Sequence, residues 1–269
     1  MHVAEAGTGS PLLLLHGYPQ NWYLWHRLIP PLARERRVIC PDLRGFGWSE
    51  APADGYDKET LMRDVLALLD ELEIERVPVA GHDWGGWIGM LMGMLAPERL
   101  ERVLVMSVSH PFFKRNLRTL TEWWHVWHGM ALATPGLGPR AARPSTRSGR
   151  ATARWLGSDS WSAAETEIFL GGLEEPARAA AAHQLYFLNG TTDFPKVMRG
   201  RYRKLGLQAP ALVLLGTRDR AALPWHAADF EPYAPNMRLE RVDGAGHALV
   251  DDRPDLVLET IRSFLVARE

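Results

Sequence analysis

Val79-Ala80-Gly81-His82-Asp83-Trp84-Gly85-Gly86 decides how this chain folds. An apolar run from Val77 to Ala80 breaks at the pentapeptide Gly81-His82-Asp83-Trp84-Gly85, and an apolar segment of helical length follows from Trp87 to Leu95. The order is strand, sharp turn, helix. Glycines on both sides of Asp83 permit a tight, strained turn that pushes its carboxylate out at the strand end. Taken alone, the pentapeptide also fits a plainer account in which the two glycines end a strand and open a helix, with Asp83 as its N-cap.

Outward from this unit the alternation continues in both directions. Pro11 to Leu15 is a short apolar run closed by His16-Gly17-Tyr18-Pro19, a buried strand and a turn. Trp22 to Ala33 carries Trp25, Leu28, Ile29 and Leu32 at helical spacing. Val38 to Cys40 is another strand, followed by the glycine-containing loop Pro41-Asp42-Leu43-Arg44-Gly45-Phe46-Gly47-Trp48-Ser49. Lys58 to Leu72 places Leu61, Val65, Leu68, Leu69 and Leu72 on one helical face. Val103 to Val108 is a further strand, and Met1 to Gly7 reads as a strand already under way, which leaves room for one before it. Strands alternating with helices predict a mostly parallel sheet covered on both faces, an α/β fold.

From 111 to 208 the alternation stops. Tryptophans and histidines cluster at 123–128, Pro135 to Arg150 is rich in Pro, Gly and Arg, and Ala163–Leu170 and Pro176–Leu188 read as helices. The Arg-rich piece from Arg140 to Arg154 is expected to be a solvated, mobile surface loop. Alternation resumes with a strand at Ala211–Gly216, a helix around Trp225 to Tyr233, a strand at Met237–Val242, a loop with His247 and a last helix from Pro254 to Ala267. The expected division is a core of residues 1–110 and 209–269 around a helical insertion at 111–208.

With 269 residues, 46% of them apolar, the chain can form one large core. Balanced charge, 31 Lys+Arg against 32 Asp+Glu, supplies no field for nucleic acid or an anionic membrane. The single cysteine, Cys40, excludes an intramolecular disulfide and suits a reducing, cytoplasmic setting. The sequence has neither a secretory leader pattern nor an apolar run of about twenty residues. The expected partner is a small, neutral, largely apolar substrate, without nucleic acid or membrane; a homodimer is left open. No cofactor and no metal are expected.

An aspartate nucleophile at position 83 needs a base to activate water and an acid to orient that base. Asp219 follows the strand ending at Gly216, in Gly216-Thr217-Arg218-Asp219, and His247 stands in Gly244-Ala245-Gly246-His247. Singly, Asp219 reads as a turn carboxylate and His247 as a packed loop histidine. Together with Asp83 they fall in the order nucleophile, acid, histidine, each at a predicted strand end.

With these pieces the chain resembles α/β hydrolases of the epoxide hydrolase and haloalkane dehalogenase group. The motifs that carry the resemblance are His16-Gly17-Tyr18-Pro19, residues 42–49, residues 81–86, residues 216–219 and residues 244–247. It implies a covalent alkyl ester on Asp83, hydrolysed by water that the His247–Asp219 pair activates, with the backbone N–H groups of Tyr18 and Trp84 holding the oxyanion. It implies that the insertion is a cap. Epoxide hydrolases supply two cap tyrosines to the leaving oxygen; Tyr186 matches the second, and His128 stands where the first is usual. In the alternative, haloalkane dehalogenation, the same triad works with Trp84 as halide donor, joined in some members by a cap tryptophan, for which Trp123, Trp124, Trp127, Trp155 and Trp161 are candidates. Many dehalogenases carry asparagine where this chain has Tyr18, and fluoroacetate dehalogenases carry an arginine where it has Trp84. The His-Gly-Tyr-Pro turn favours the epoxide reading. A third reading, a non-catalytic binding protein on this fold, would be marked by a broken triad, and all three members are present.

Overall fold

The structure is a computed structural model and describes residues 1–112, 127–158, 160–222 and 229–266. Seven strands form one sheet: β1 (Val3–Ala6), β2 (Pro11–Leu15), β3 (Arg37–Pro41), β4 (Val77–His82), β5 (Leu100–Met106), β6 (Ala211–Gly216) and β7 (Met237–Val242). Their order is β1-β3-β2-β4-β5-β6-β7, with β1 antiparallel to β3 and every other pair parallel. The central strands read as unbroken apolar runs because they are buried on both faces, as parallel strands are. Side chains alternate across a strand, and this fixes the layers. Helix α3 (Trp84–Leu95; α1 is Ile29–Leu32 and α2 is Lys58–Glu71) brings Gly89 against Val79 and Val103. On the opposite face, Arg102 reaches the Phe264 carbonyl in the C-terminal helical stretch.

The turn between β4 and α3 depends on missing side chains. A Cβ on Gly81 would lie 2.3 Å from the carbonyl oxygen of Gly85, and one on Gly85 would lie 2.3 Å from that of Leu15. Backbone on backbone cannot yield as a flexible side chain would. Gly81→Ala is therefore expected to cost about 3 kcal/mol or more, the upper end for forcing a methyl into packed structure. Urea unfolding checks this, and an unchanged midpoint would contradict it.

Between β5 and β6 the described residues hold helices and no strand: α4 (Trp127–Ala133), α5 (Gly138–Ala142), α6 (Arg147–Leu156), α7 (Ala163–Leu170), α8 (Pro176–Leu188), α9 (Phe194–Met198) and α10 (Arg201–Leu205). Polar contacts dock this segment on the rest of the chain. Asn21 Nδ2 donates to the Ile168 carbonyl at 2.9 Å, Arg27 pairs with Glu165 at 2.6 Å, and Arg178 donates to the Ser49 carbonyl at 3.0 Å. Among the described residues, no helix is long and apolar enough to cross a membrane.

Four local expectations need correction. Residues 22–33 are not one helix but a 3₁₀ turn, Trp22–Trp25, and the short α1, because Pro30 and Pro31 fit only the first positions of a new helix. The Arg140–Arg154 piece is largely helical rather than loop. Thr146 caps α6 by accepting from the Gly149 N–H at 2.9 Å, and the Arg143 guanidinium is held by the Glu174 carbonyl. Around Trp225 to Tyr233, residues 225–228 lie outside the described ones, and 231–233 form a turn. The last helix, expected from Pro254, is preceded by a short α11 (Leu249–Asp252) and is α-helical only as α12 (Pro254–Thr260) before it widens to a π-helical stretch over Ile261–Val266; Ala267 lies outside the described residues.

Candidate active site

Asp83 takes φ +51° and ψ −115°, left-handed backbone for a non-glycine residue. Two main-chain bonds hold it there: its N–H donates to the Met106 carbonyl at 2.8 Å, and the Trp87 N–H donates to its carbonyl at 3.1 Å. Asp83 holds the N-cap position of α3, but in left-handed backbone and without the side-chain cap bond of an ordinary N-cap. Instead Oδ1 accepts from the Tyr18 backbone N–H at 3.1 Å. That approach needs Gly17, where a Cβ would sit 2.5 Å from the Asp83 Cβ. Buried His16 fixes the turn as a neutral ring. Its Nε2 accepts from the Leu43 N–H at 2.9 Å, Nδ1 faces the Gly17 carbonyl at 3.0 Å, and burial lowers its pKa.

His247 and Asp219 meet Asp83 from the β7 and β6 loops. His247 Nδ1 lies 3.1 Å from Asp219 Oδ2, and Asp219 Oδ1 also accepts from the N–H groups of Ala221 and Ala222. Nε2, buried and without a hydrogen bond to any described residue, faces Asp83 Oδ2 at 3.8 Å. The ring is oriented from behind by its own main chain. His82 Nε2 donates to the His247 carbonyl at 2.8 Å, and burial, reinforced by His247, pushes the His82 pKa down to about 3, so it stays neutral. The Gly246 N–H donates to Asp252 at 2.7 Å. Neighbouring Asp251 accepts from Gln20 Nε2 at 2.9 Å and Trp161 Nε1 at 2.8 Å, tying the histidine loop to the helical segment.

The charges are coupled. Burial works against the imidazolium, but Asp219 by charge and hydrogen bond, then Asp83, outweigh it and raise His247 to about 9. Burial raises the Asp83 pKa, opposed by His247 and by the N–H groups of Trp84 and Tyr18. Those two N–H groups, expected from the resemblance, thus both act on the carboxylate.

Asp83 and His247 open on a cavity of about 220 Å³ whose lining includes Trp84, Tyr186 and His128. Tyr186 stands edge-on to Trp84, Tyr18 and His128, with ring centres 5.4, 5.3 and 6.1 Å away. Burial, then the charge of Asp83, hold its hydroxyl well above the ordinary tyrosine pKa, so it keeps its proton. Of the tryptophans proposed as further halide donors, Trp127, Trp155 and Trp161 do not line this cavity. Trp127 packs edge-on to Trp155, Trp161 is bonded to Asp251, and Trp123 and Trp124 lie outside the described residues.

Lys58, Asn189 and Ser107 are among the lining residues that were missed from the sequence. Lys58 is only 3% exposed, with Nζ 4.4 Å over the Trp84 ring, 4.7 Å over the Trp87 ring, 3.7 Å from Asp193 and donating to Asn189 Oδ1. Burial lowers it to about 8 against the pull of Asp193 and Asp83. The sequence signal was faint: a lysine opens a helix, where the macrodipole disfavours a cation. Asn189 follows α8 in a π-helical turn. Ser107, at φ +57°, has a buried hydroxyl without a hydrogen bond to any described residue.

The alpha/beta hydrolase fold family matches residues 10–254. A soluble epoxide hydrolase from Corynebacterium sp. (strain C12) is 45% identical over 108 residues, a match that takes in 40% of this chain and 38% of that relative. A fluoroacetate dehalogenase from Burkholderia sp. is 31% identical over 98% of this chain and 90% of its own length. Among solved structures, epoxide hydrolase CorEH superposes with a TM-score of 0.83 at 26% identity, covering 98% of this chain and 94% of that one. The sheet order, the turn at Asp83 and these matches agree, and the chain belongs to the alpha/beta hydrolase fold family.

Proposed function

We propose that the protein opens epoxides to vicinal diols through an ester on Asp83. The observation that carries this reading is the arrangement at one cavity of a carboxylate nucleophile, a histidine 3.8 Å away whose Nε2 bonds no described residue, and a buried tyrosine that keeps its proton. Asp83 attacks an epoxide carbon from the side opposite the C–O bond. That bond breaks, its electron pair stays on oxygen, and Tyr186, assisted by His128, donates a proton or strong hydrogen bond. Water then loses a proton to His247 and adds to the ester carbonyl. The tetrahedral oxyanion is held by the Tyr18 and Trp84 N–H groups; on collapse the ester C–O bond breaks, the leaving alkoxide takes the proton from the His247 imidazolium to give the diol, and the carboxyl proton left on Asp83 restores any proton Tyr186 has given up. Asp219 stabilises the imidazolium. Residues 1–110 and 209–269 form the catalytic core in this proposal, and 111–208 form the cap.

A second reading, halide displacement by the same triad, is favoured by Trp84 in the cavity wall and by the full-length similarity to a dehalogenase. Diol formation from styrene oxide, assayed beside bromide release from 1-bromobutane, separates the two. Diol without bromide is the expected result, and bromide without diol overturns it.

The two half-reactions should differ in pH dependence. Forming the ester removes the Asp83 charge, one of the causes that hold His247 at about 9, so its pKa falls in the intermediate. Ester hydrolysis requires the neutral ring. Its rate should therefore be full at high pH and fall on acidification through that lowered pKa. Single-turnover kinetics check this, and a hydrolysis rate independent of pH would contradict it.

A further inference from the structure

We propose that Lys58 and Asn189 form a carboxylate subsite in the wall of the Asp83 cavity, so that the substrate is an epoxide carrying a carboxylate substituent. The substrate class rests on the epoxide reading above; the subsite does not. An ammonium in a protein interior is stable only when charge and hydrogen bonds replace its water. The compensation around Lys58 is incomplete. Its counter-charge, Asp193, is shared: Oδ2 also accepts from the Lys58 backbone N–H at 3.1 Å, and Lys196 Nζ lies 3.8 Å from Oδ1. The charge of Asp83, two indole faces and one amide oxygen supply the rest, and burial still depresses the pKa of the group.

Pinning the helical segment to the core does not account for this placement. The bond from the Lys58 main chain to Asp193 performs that task with any side chain at position 58. What the lysine adds is a cation lining the cavity that also exposes Asp83, Tyr186 and His247. Asn189 presents an amide beside it, three residues after Tyr186, at the C-cap of the helix that carries the proposed proton donor. The Ser107 hydroxyl, buried and without a partner among the described residues, is a further donor in the same lining. A carboxylate seated there supplies the charge that Asp193 only partly provides, and holds one end of the substrate while Asp83 meets the other.

Binding without turnover tests this. Cyclopropanecarboxylate and cyclopropanecarboxamide share a three-membered ring and lack a leaving oxygen, so isothermal titration of the native protein compares acid with amide whatever reaction is catalysed. The acid is expected to bind at least about tenfold more tightly, the effect of one charge-assisted contact. Lys58→Met should bring the ratio to one or below. Asn189→Asp, which neutralises Lys58 in place with an isosteric group, should do the same should the first variant not fold. Equal affinities, no detectable binding of the acid at about 10 mM, or an acid preference that survives these substitutions would overturn the proposal. Turnover of glycidate beside glycidamide is the companion measurement. If neither is converted while the acid preference holds, the epoxide reading fails and the subsite stands.

Discussion

His247→Gln is expected to stop the reaction with substrate still attached to Asp83. Attack by a carboxylate on a saturated carbon needs no base, because the nucleophile is already an anion. Hydrolysis of the resulting ester does need one, and His247 Nε2 is the group that faces Asp83, at 3.8 Å. Glutamine keeps roughly the size of the ring but cannot take the proton of water. Turnover should fall by at least about 10³-fold, within the range for removing a positioned general base. Mass spectrometry of the variant after mixing with substrate should show one adduct per chain, on the peptide containing Asp83. Asp219→Asn should act in the same direction more weakly, since it disturbs the orientation and charge of the imidazole rather than deleting it. A variant that is inactive and carries no adduct, with an epoxide that the native protein consumes, would count against covalent catalysis.

Tyr186→Phe should affect the other half of the cycle. An epoxide leaves as an alkoxide, a poor leaving group unless an O–H donor meets the oxygen as the C–O bond breaks. Tyr186 is buried, lines the cavity and keeps its proton, and the substitution removes only the hydroxyl while preserving the ring packing on Trp84 and Tyr18. Loss of about a hundredfold or more in epoxide turnover is expected, the usual scale for a positioned acid. The loss should appear in ester formation and not in ester hydrolysis. His128→Phe should cost less, because Tyr186 remains. Full epoxide activity in Tyr186→Phe would remove the acid from the mechanism. Retained halide release in that variant, from a native protein that forms no diol, would favour the dehalogenase reading.

The sheet was legible because buried parallel strands are continuous apolar runs closed by glycine turns; Pro11–Leu15, Ala211–Gly216 and Met237–Val242 have the same bounds in sequence and structure. Asp83, Asp219 and His247 were legible for a related reason, since each follows a strand and the sheet carries all three to one end. Lys58 was not. In the sequence it is one more charged residue at the start of an amphipathic helix, and its burial depends on Asn189 and Asp193, more than 130 positions away. The helical segment was read least well where prolines and arginines dominate. Composition favours loop there, while a Thr146 cap and a carbonyl grip on Arg143 win locally.

Covalent catalysis by Asp83 is tested most directly by one turnover in oxygen-18-labelled water with protein in excess over epoxide. Water attacks the ester at the Asp83 carbonyl carbon, so the first diol should leave with unlabelled oxygen from the protein, and the peptide containing Asp83 should gain one heavy oxygen. Label in that first diol, with an unlabelled Asp83 peptide, would mean that water opens the ring directly and would contradict the ester mechanism.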